Sequence, residues 1–167
     1  VIPQIKARLE TYFDEFIIDE VQDIAGRDFS FLEKLMTTNI NMLFVGDFFQ
    51  HTFNTSRDGN VNGNLFDNQN TYIARYTRHG ITCDVTTLTS SYRCSQNVCR
   101  FINEALGINI SSNRTEMDNT EITFVSEEAE CSRILLDPKI IKLHYQNGHR
   151  YGIDHKNWGE TKGEDCY

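Results

Sequence analysis

Apolar residues follow two different periods along the first half of the chain. Residues 16–19 and 42–45 are short, mostly apolar runs that lead into polar residues, and each predicts a buried strand. Residues 29–36 carry apolar side chains at helical spacing, and so do residues 5–12. Two strands joined by a helix form a βαβ unit, which predicts a parallel sheet and an α/β fold.

The second half of the chain is more polar and predicts shorter elements. Residues 72–79 predict a helix that stops at Gly80, and Ser95 is expected to cap a helix that runs to about Leu106. We expect the chain to divide into two parts, residues 1–82 and 83–167. Candidate strands in the second part are residues 85–88, 121–125 and 140–145.

Composition and charge narrow the class of protein. The chain has 167 residues, is 39% hydrophobic and carries a formal net charge of −8, which argues against a freestanding module that binds nucleic acid through a basic face. Five cysteines without a Cys-x-x-Cys pair favour reduced thiols and a cytoplasmic location. No apolar run of about 18 residues occurs, so we expect no membrane partner. The sequence does not begin with Met, and we expect it to be part of a longer protein.

Acidic residues follow both predicted strands of the first half. Asp19 and Glu20 come directly after the first strand, and Asp47 follows the second. Ligands of open α/β sheets bind beyond the carboxyl ends of the strands, so these acids are expected near one edge. Mg²⁺ takes one or two carboxylates together with water and phosphate oxygens. For Asp19-Glu20 alone two interpretations stay open, a Mg²⁺ site of the Walker B type or the first turn of a helix.

Two further segments carry side chains suited to phosphate chemistry. Gln50, three residues after Asp47, can hydrogen-bond a terminal phosphate or its attacking water. Arg93 can reach phosphate with its planar guanidinium, and Tyr92 can stack on a base. Alone, Tyr92-Arg93 is equally a tyrosine at a strand end with a surface arginine beside it.

These segments, in this order, resemble the motifs of UvrD/Rep-type superfamily 1 DNA helicases. The resemblance lies in IIDEVQD (motif II), LFVGDFFQHTF (motif III), LTSSYRCSQNVCRFIN (motif IV) and NWGETKGEDCY (motif V). It implies parts of two RecA-like (P-loop NTPase) lobes, with parallel sheets flanked by helices. Residues 1–82 would belong to the first lobe and residues 83–167 to the second. The implied activity couples hydrolysis of Mg²⁺-ATP, bound between the lobes, to movement on single-stranded DNA or a partial duplex.

The resemblance also implies roles for residues of the first part. Asp19 and Glu20 would hold Mg²⁺, and Glu20 would activate the attacking water. Gln22 would belong to the network that links the state of the nucleotide to motion. Gln50 would contact the γ-phosphate. Thr55 takes the position at which the family usually has a tryptophan that stacks on a base.

Further roles fall mostly on the second part of the chain. Tyr92 would stack on the adenine, and Arg93 would contact the γ-phosphate. Asp165 would lie near the nucleotide sugar, at a position where the family usually has Glu. Phe53 matches an aromatic residue that contacts nucleic acid. Trp158 is a second candidate for such a contact, with a core position as its alternative.

The phosphate-binding Walker A loop is missing from this sequence, which contains no Gly-Lys-Ser/Thr. We expect that loop upstream in a parent protein, and we expect the isolated chain neither to bind ATP well nor to hydrolyse it. Two other functions stay open. One is a degenerate helicase-like module that serves as a binding scaffold. The other is a metal-dependent nuclease that uses Asp19, Glu20, Asp23 and Asp47.

Overall fold

Two compact units make up the chain, Val1–Cys83 and Asp84–Tyr167, and the boundary predicted after residue 82 lies one residue before this division. The computed structural model describes residues 1–52, 54–56, 60–115, 119–144, 150 and 155–161. Within these residues the fold is mixed α/β, with five α-helices and three pairs of short parallel strands. None of the helices in these ranges has the length and apolar character needed to cross a membrane.

The first unit is built on the strand–helix–strand step that the sequence predicts. Its two strands are parallel, with Ile18 opposite Phe44 in the register, and the helix between them connects the two. This confirms the predicted βαβ unit. The elements are α1 (Ile2–Tyr12), β1 (Glu15–Ile18), α2 (Gly26–Leu35), β2 (Asn41–Phe44) and α3 (Gln69–Thr77).

The core of the first unit lies between α2, α3 and one face of the sheet. Phe29 of α2 is completely buried and packs edge-to-face on Tyr76 of α3, with ring centroids 5.7 Å apart. The hydroxyls of Tyr72 and Tyr76 hydrogen-bond to each other at 2.7 Å. Burial raises the pKa of Tyr72 to about 12 and raises the pKa of Tyr76 further, so both stay neutral at physiological pH. Buried residues that extend this cluster are Val21, Leu32, Met36 and Leu65.

In the second unit, the helix Gln96–Leu106 is capped at both ends. The Ser95 Oγ accepts a hydrogen bond from the Val98 N–H at 3.3 Å, and Gly107 ends the helix with φ at 66°, in the left-handed region. The predicted cap and extent of this helix are therefore confirmed. The elements are β3 (Ser90–Ser91), α4 (Gln96–Leu106), β4 (Ser111–Ser112), α5 (Glu128–Leu136), β5 (Leu143–His144) and β6 (Lys156–Asn157).

Two predicted strands of the second unit are wrong. In residues 85–88, Asp84 forms a turn instead, because its Oδ1 accepts hydrogen bonds from the N–H groups of Thr86 and Thr87 at 2.8 and 3.1 Å. In residues 121–125, the ring of Phe124 lies against Phe101 of α4 at 6.3 Å, and no strand forms. Of the candidate strand 140–145, the described part is a strand only at Leu143–His144.

Candidate active site

The loop that follows β1 is a tight turn that carries the acid pair. The Val45 N–H donates to the Ile18 carbonyl at 2.9 Å, and the Val21 N–H donates to the Val45 carbonyl at 3.0 Å. Glu20 has φ 53° and ψ 41°, the left-handed region, which costs a residue with a side chain about 1 kcal/mol or more. The Asp19 Oδ1 accepts the Glu20 N–H at 2.8 Å. Both acids are exposed beyond the carboxyl end of the strand.

Gln22 connects this acid pair to the loop that follows β2. The residue is 1% exposed. The Nε2 group donates to the Glu20 Oε2, and Oε1 accepts the Asp47 N–H at 3.0 Å. A carboxylate only accepts and a backbone N–H only donates, so the two partners define the orientation of the amide. The Glu20–Gln22–Asp47 hydrogen bonds, called here the Gln22 bridge, join the two strand ends.

Gly46 leaves the space that the Gln22 bridge needs. A Cβ atom at position 46 would overlap the Gln22 Oε1 and would lie 3.0 Å from Val21 Cγ1. The backbone of the second loop therefore approaches Gln22 at a distance that only glycine permits. The glycine of the VGDFFQ segment thus has a local structural purpose within this unit.

Asp47 organises the second loop and holds Gln50. Its Oδ1 accepts the Phe49 N–H at 2.9 Å, which caps the 3₁₀ turn Phe48–Gln50. Its Oδ2 accepts from Gln50 Nε2, also at 2.9 Å. A continuous series of hydrogen bonds therefore runs from Asp19 through Glu20, Gln22 and Asp47 to Gln50. The structure places the three acids that the sequence predicts at this edge in one hydrogen-bonded series, together with Gln22 and Gln50.

Thr55 closes the start of α2. Its N–H donates to the Asp23 carbonyl at 3.0 Å, and its Oγ1 accepts the Ala25 N–H at 3.1 Å. Ala25 is the residue that precedes α2 and has no side-chain oxygen of its own for capping. The residue found in place of the expected tryptophan therefore stabilises a helix start.

The chemistry of the loop after β1 suits a single Mg²⁺ ion bound together with phosphate. Asp19 is exposed and accepts one backbone hydrogen bond, while Glu20 accepts from Gln22. Mg²⁺ is usually held by one or two carboxylates, with water and phosphate oxygens completing the octahedron. Within the described ranges, no three His, Cys, Asp or Glu side chains form a cluster that could hold a metal ion. Asp19 and Glu20 are the two carboxylates of this loop that could contribute to such a site.

In the second unit, Ser91 forms a turn that presents Tyr92 and Arg93. The Ser91 Oγ accepts the N–H groups of Arg93 and Cys94, at 3.2 and 3.0 Å. The Arg93 carbonyl accepts from Arg114 Nη1 at 3.2 Å, and the Tyr92 side chain is 81% exposed. A tyrosine ring so exposed at a hydrogen-bonded turn is available for stacking.

The remaining predicted contact residues fall in two groups. Phe53 and Asp165 lie outside the described residues. Trp158 begins the 3₁₀ turn Trp158–Thr161 and is 54% exposed, so it does not take the core position that was its alternative.

A hollow of about 830 Å³ in the first unit lies between α1, α2 and the end of α3, and none of the predicted site residues lines it.

One residue at the site is not predicted from the sequence. The His51 Nδ1 lies 2.7 Å from the Gln22 carbonyl oxygen, and its ring stacks on Phe66. The position directly after Gln50 is the only signal in the sequence, because the partner residues are remote along the chain.

Comparison with models of known protein families and with curated proteins finds no match to this chain. What the site can do therefore follows from its own geometry.

Proposed function

We propose that this chain is part of an ATP-dependent DNA helicase or translocase with RecA-like lobes, and that its first unit supplies the hydrolytic edge of the ATPase. The observation that supports this most directly is the hydrogen-bonded series from Asp19 to Gln50. It connects the ends of two adjacent parallel strands, where an open α/β sheet binds its ligand. Single-stranded DNA or a partial duplex would be the nucleic acid along which the enzyme moves.

Asp19 and Glu20 are the residues that would hold Mg²⁺ in this proposal. The ion, when bound with ATP, supplies positive charge that offsets the charge of the phosphate oxygens. Glu20 would accept the proton of the attacking water through its carboxylate. The Gln22 amide limits the orientations of that carboxylate, and the left-handed backbone of Glu20 restricts it further.

Gln50 and the Tyr92-Arg93 pair would contact the nucleotide. The Gln50 amide is held by Asp47, so its position depends on the same loop that receives the Gln22 bridge. A change at the phosphate could therefore pass from Gln50 to Glu20 along hydrogen bonds. In the second unit, Arg93 would contact the γ-phosphate and Tyr92 would stack on the adenine. Both residues belong to a turn that Ser91 holds by hydrogen bonds.

The test is Glu20→Gln in a parent protein that supplies the phosphate-binding loop. ATP turnover stimulated by single-stranded DNA should fall by at least about 100-fold, while ATP affinity measured by equilibrium binding stays unchanged. Glu15→Gln is the matched control, because Glu15 is an exposed acid at the opposite end of the same strand. Turnover that survives in Glu20→Gln would remove Glu20 as the base.

The other functions make different measurable predictions. A two-metal nuclease would cleave DNA with Mn²⁺ in the absence of ATP, but both carboxylate oxygens of Asp47 already accept hydrogen bonds, from the Phe49 N–H and from Gln50 Nε2. A degenerate scaffold module would bind DNA with no ATP turnover in the parent protein. For the isolated 167-residue chain we expect no ATP turnover, and strand-stimulated turnover by it would contradict that expectation.

A further inference from the structure

His51 contacts the Gln22 bridge through the backbone. Its Nδ1 lies 2.7 Å from the Gln22 carbonyl oxygen, which can only accept, so Nδ1 carries the hydrogen. The imidazole also stacks on Phe66, with 3.4 Å between ring centroids and 9° between ring planes. The donor and the stacked face together leave the ring little freedom to rotate.

Phe66 ties this histidine to the core of the first unit. Its ring centroid lies 5.4 Å from that of Tyr72 and 6.3 Å from that of Phe48. Tyr72 is buried and packs on Phe29 at 6.2 Å. The orientation of His51 therefore depends on the packing of the core of this unit.

We propose that His51 is a positioning residue for Glu20 and that it acts through Gln22. By donating to the Gln22 carbonyl, it holds the 3₁₀ turn Val21–Asp23 so that the Gln22 amide reaches both Glu20 and Asp47. The consequence for catalysis rests on the proposed function, in which Glu20 accepts the proton of water. The consequence for the Gln22 amide does not depend on that function.

Three variants separate the donor from the ring. His51→Leu removes the N–H donor, and His51→Asn, of similar size to Leu, keeps a donor at the δ position. Phe66→Leu removes the stacked ring and keeps the imidazole. Side-chain amide NMR of Gln22 in the 167-residue chain reads the bridge directly. Steady-state ATP turnover in the parent protein reads the effect on Glu20.

We expect the Gln22 side-chain N–H protons to exchange with water at least about tenfold faster in His51→Leu and to stay near the wild-type rate in His51→Asn. In the parent protein, His51→Leu should lower kcat between about 10- and 100-fold with KM for ATP unchanged, and His51→Asn should restore most of it. The Gln22 exchange rate and the kcat of Phe66→Leu should lie between those of His51→Leu and His51→Asn. If His51→Leu does not fold, Phe66→Leu takes its place, and wild-type values in it would overturn the proposal.

Equal Gln22 exchange in wild type and His51→Leu would overturn the proposal. Equal losses in His51→Leu and His51→Asn would also overturn it, because the bulk of the ring and not its donor would then be responsible. If the wild-type parent lacks ATP turnover but Gln22 exchange responds as expected, the positioning role stands and the proposed function fails.

Discussion

At the scale of single residues, Gln22 is the buried side chain that joins the two loops of the site. Its amide must donate at one end and accept at the other, and it is almost fully buried. A hydrogen bond adds little net stability, but a buried polar group that loses its partner costs more than that gain. A substitution at either end of the Gln22 amide should therefore destabilise the fold by more than the net energy of one hydrogen bond. A side chain at position 46 would overlap the Gln22 Oε1, so a substitution of Gly46 should disturb this arrangement too.

Gln22→Glu tests this arrangement with almost no change of shape. The new carboxylate would face the Glu20 carboxylate in a buried place, so we expect a loss of about 2–4 kcal/mol in the free energy of unfolding at neutral pH. Protonation of the buried acid relieves the repulsion, so the loss should shrink as the pH is lowered. Chemical denaturation at several pH values measures both effects. Gln69→Glu, at the start of α3, is the control outside the bridge.

At the scale of elements, apolar periodicity predicts the helices and strands whose formation depends on residues close together in the sequence. The first βαβ unit and helix α4 follow from apolar spacing and from the Ser95 and Gly107 caps. The strand expected at residues 85–88 fails because Asp84 competes for the backbone N–H groups.

The candidate site divides in the same way. The acids and Gln50 are predictable because strand ends of a parallel sheet meet at one edge. The Gln22 bridge and the His51–Phe66 stack are not predictable, because they depend on how two loops approach each other and on contacts between residues far apart in sequence. A sequence pattern describes neighbours along one element, whereas these contacts are set by tertiary packing.

Helices α2 and α3 are joined by a partly buried ion pair. Arg75 donates to both Glu33 carboxylate oxygens, at 2.7 and 2.6 Å, and its guanidinium carbon lies 5.0 Å from the centroid of the Phe29 ring. The hydrogen bond from Arg75 holds the pKa of Glu33 below its usual 4.5. This pair should therefore stabilise the unit above pH 4.5, and its contribution should be lost as the pH falls through the lowered pKa.

Arg75→Met should lower the free energy of unfolding at neutral pH by about 1–3 kcal/mol, because Glu33 loses both hydrogen bonds from the guanidinium and keeps the longer contact with His79. The difference from wild type should narrow in acid, where Glu33 is protonated in both proteins. Denaturant titrations at neutral and acidic pH measure it. Arg133→Met is the matched control, because the Arg133–Glu130 pair is exposed and should contribute little. A pH-independent difference for Arg75→Met would argue for lost packing alone.

At the scale of the whole molecule, the described parts of the two units differ in how much apolar surface they bury. Phe29, Leu65, Tyr72 and Tyr76 form a contiguous core in the first unit. In the described part of the second unit the buried apolar residue is Cys99, while Phe124 and Leu136 are largely exposed. Burial of apolar area is the main favourable term in folding, so the first unit should hold its structure more firmly.

Hydrogen exchange should show this difference directly. Backbone amides of α2 should exchange at least about tenfold more slowly than those of α4, since α2 packs its buried face on the aromatic core. Exchange followed by mass spectrometry under native conditions resolves the two helices. Both helices are of similar length, at 10 and 11 residues, which makes them a matched pair. Equal protection would mean that the buried apolar cluster does not set local stability.

Trp158 gives the second unit an optical reporter of its own. It is the single tryptophan of the chain, and about half of it is exposed. Tryptophan fluorescence therefore comes from the second unit alone. A DNA strand laid on the indole would change its emission through stacking. Titrations with oligonucleotides thus need no attached dye. Trp158→Phe is the control, because it removes the tryptophan emission.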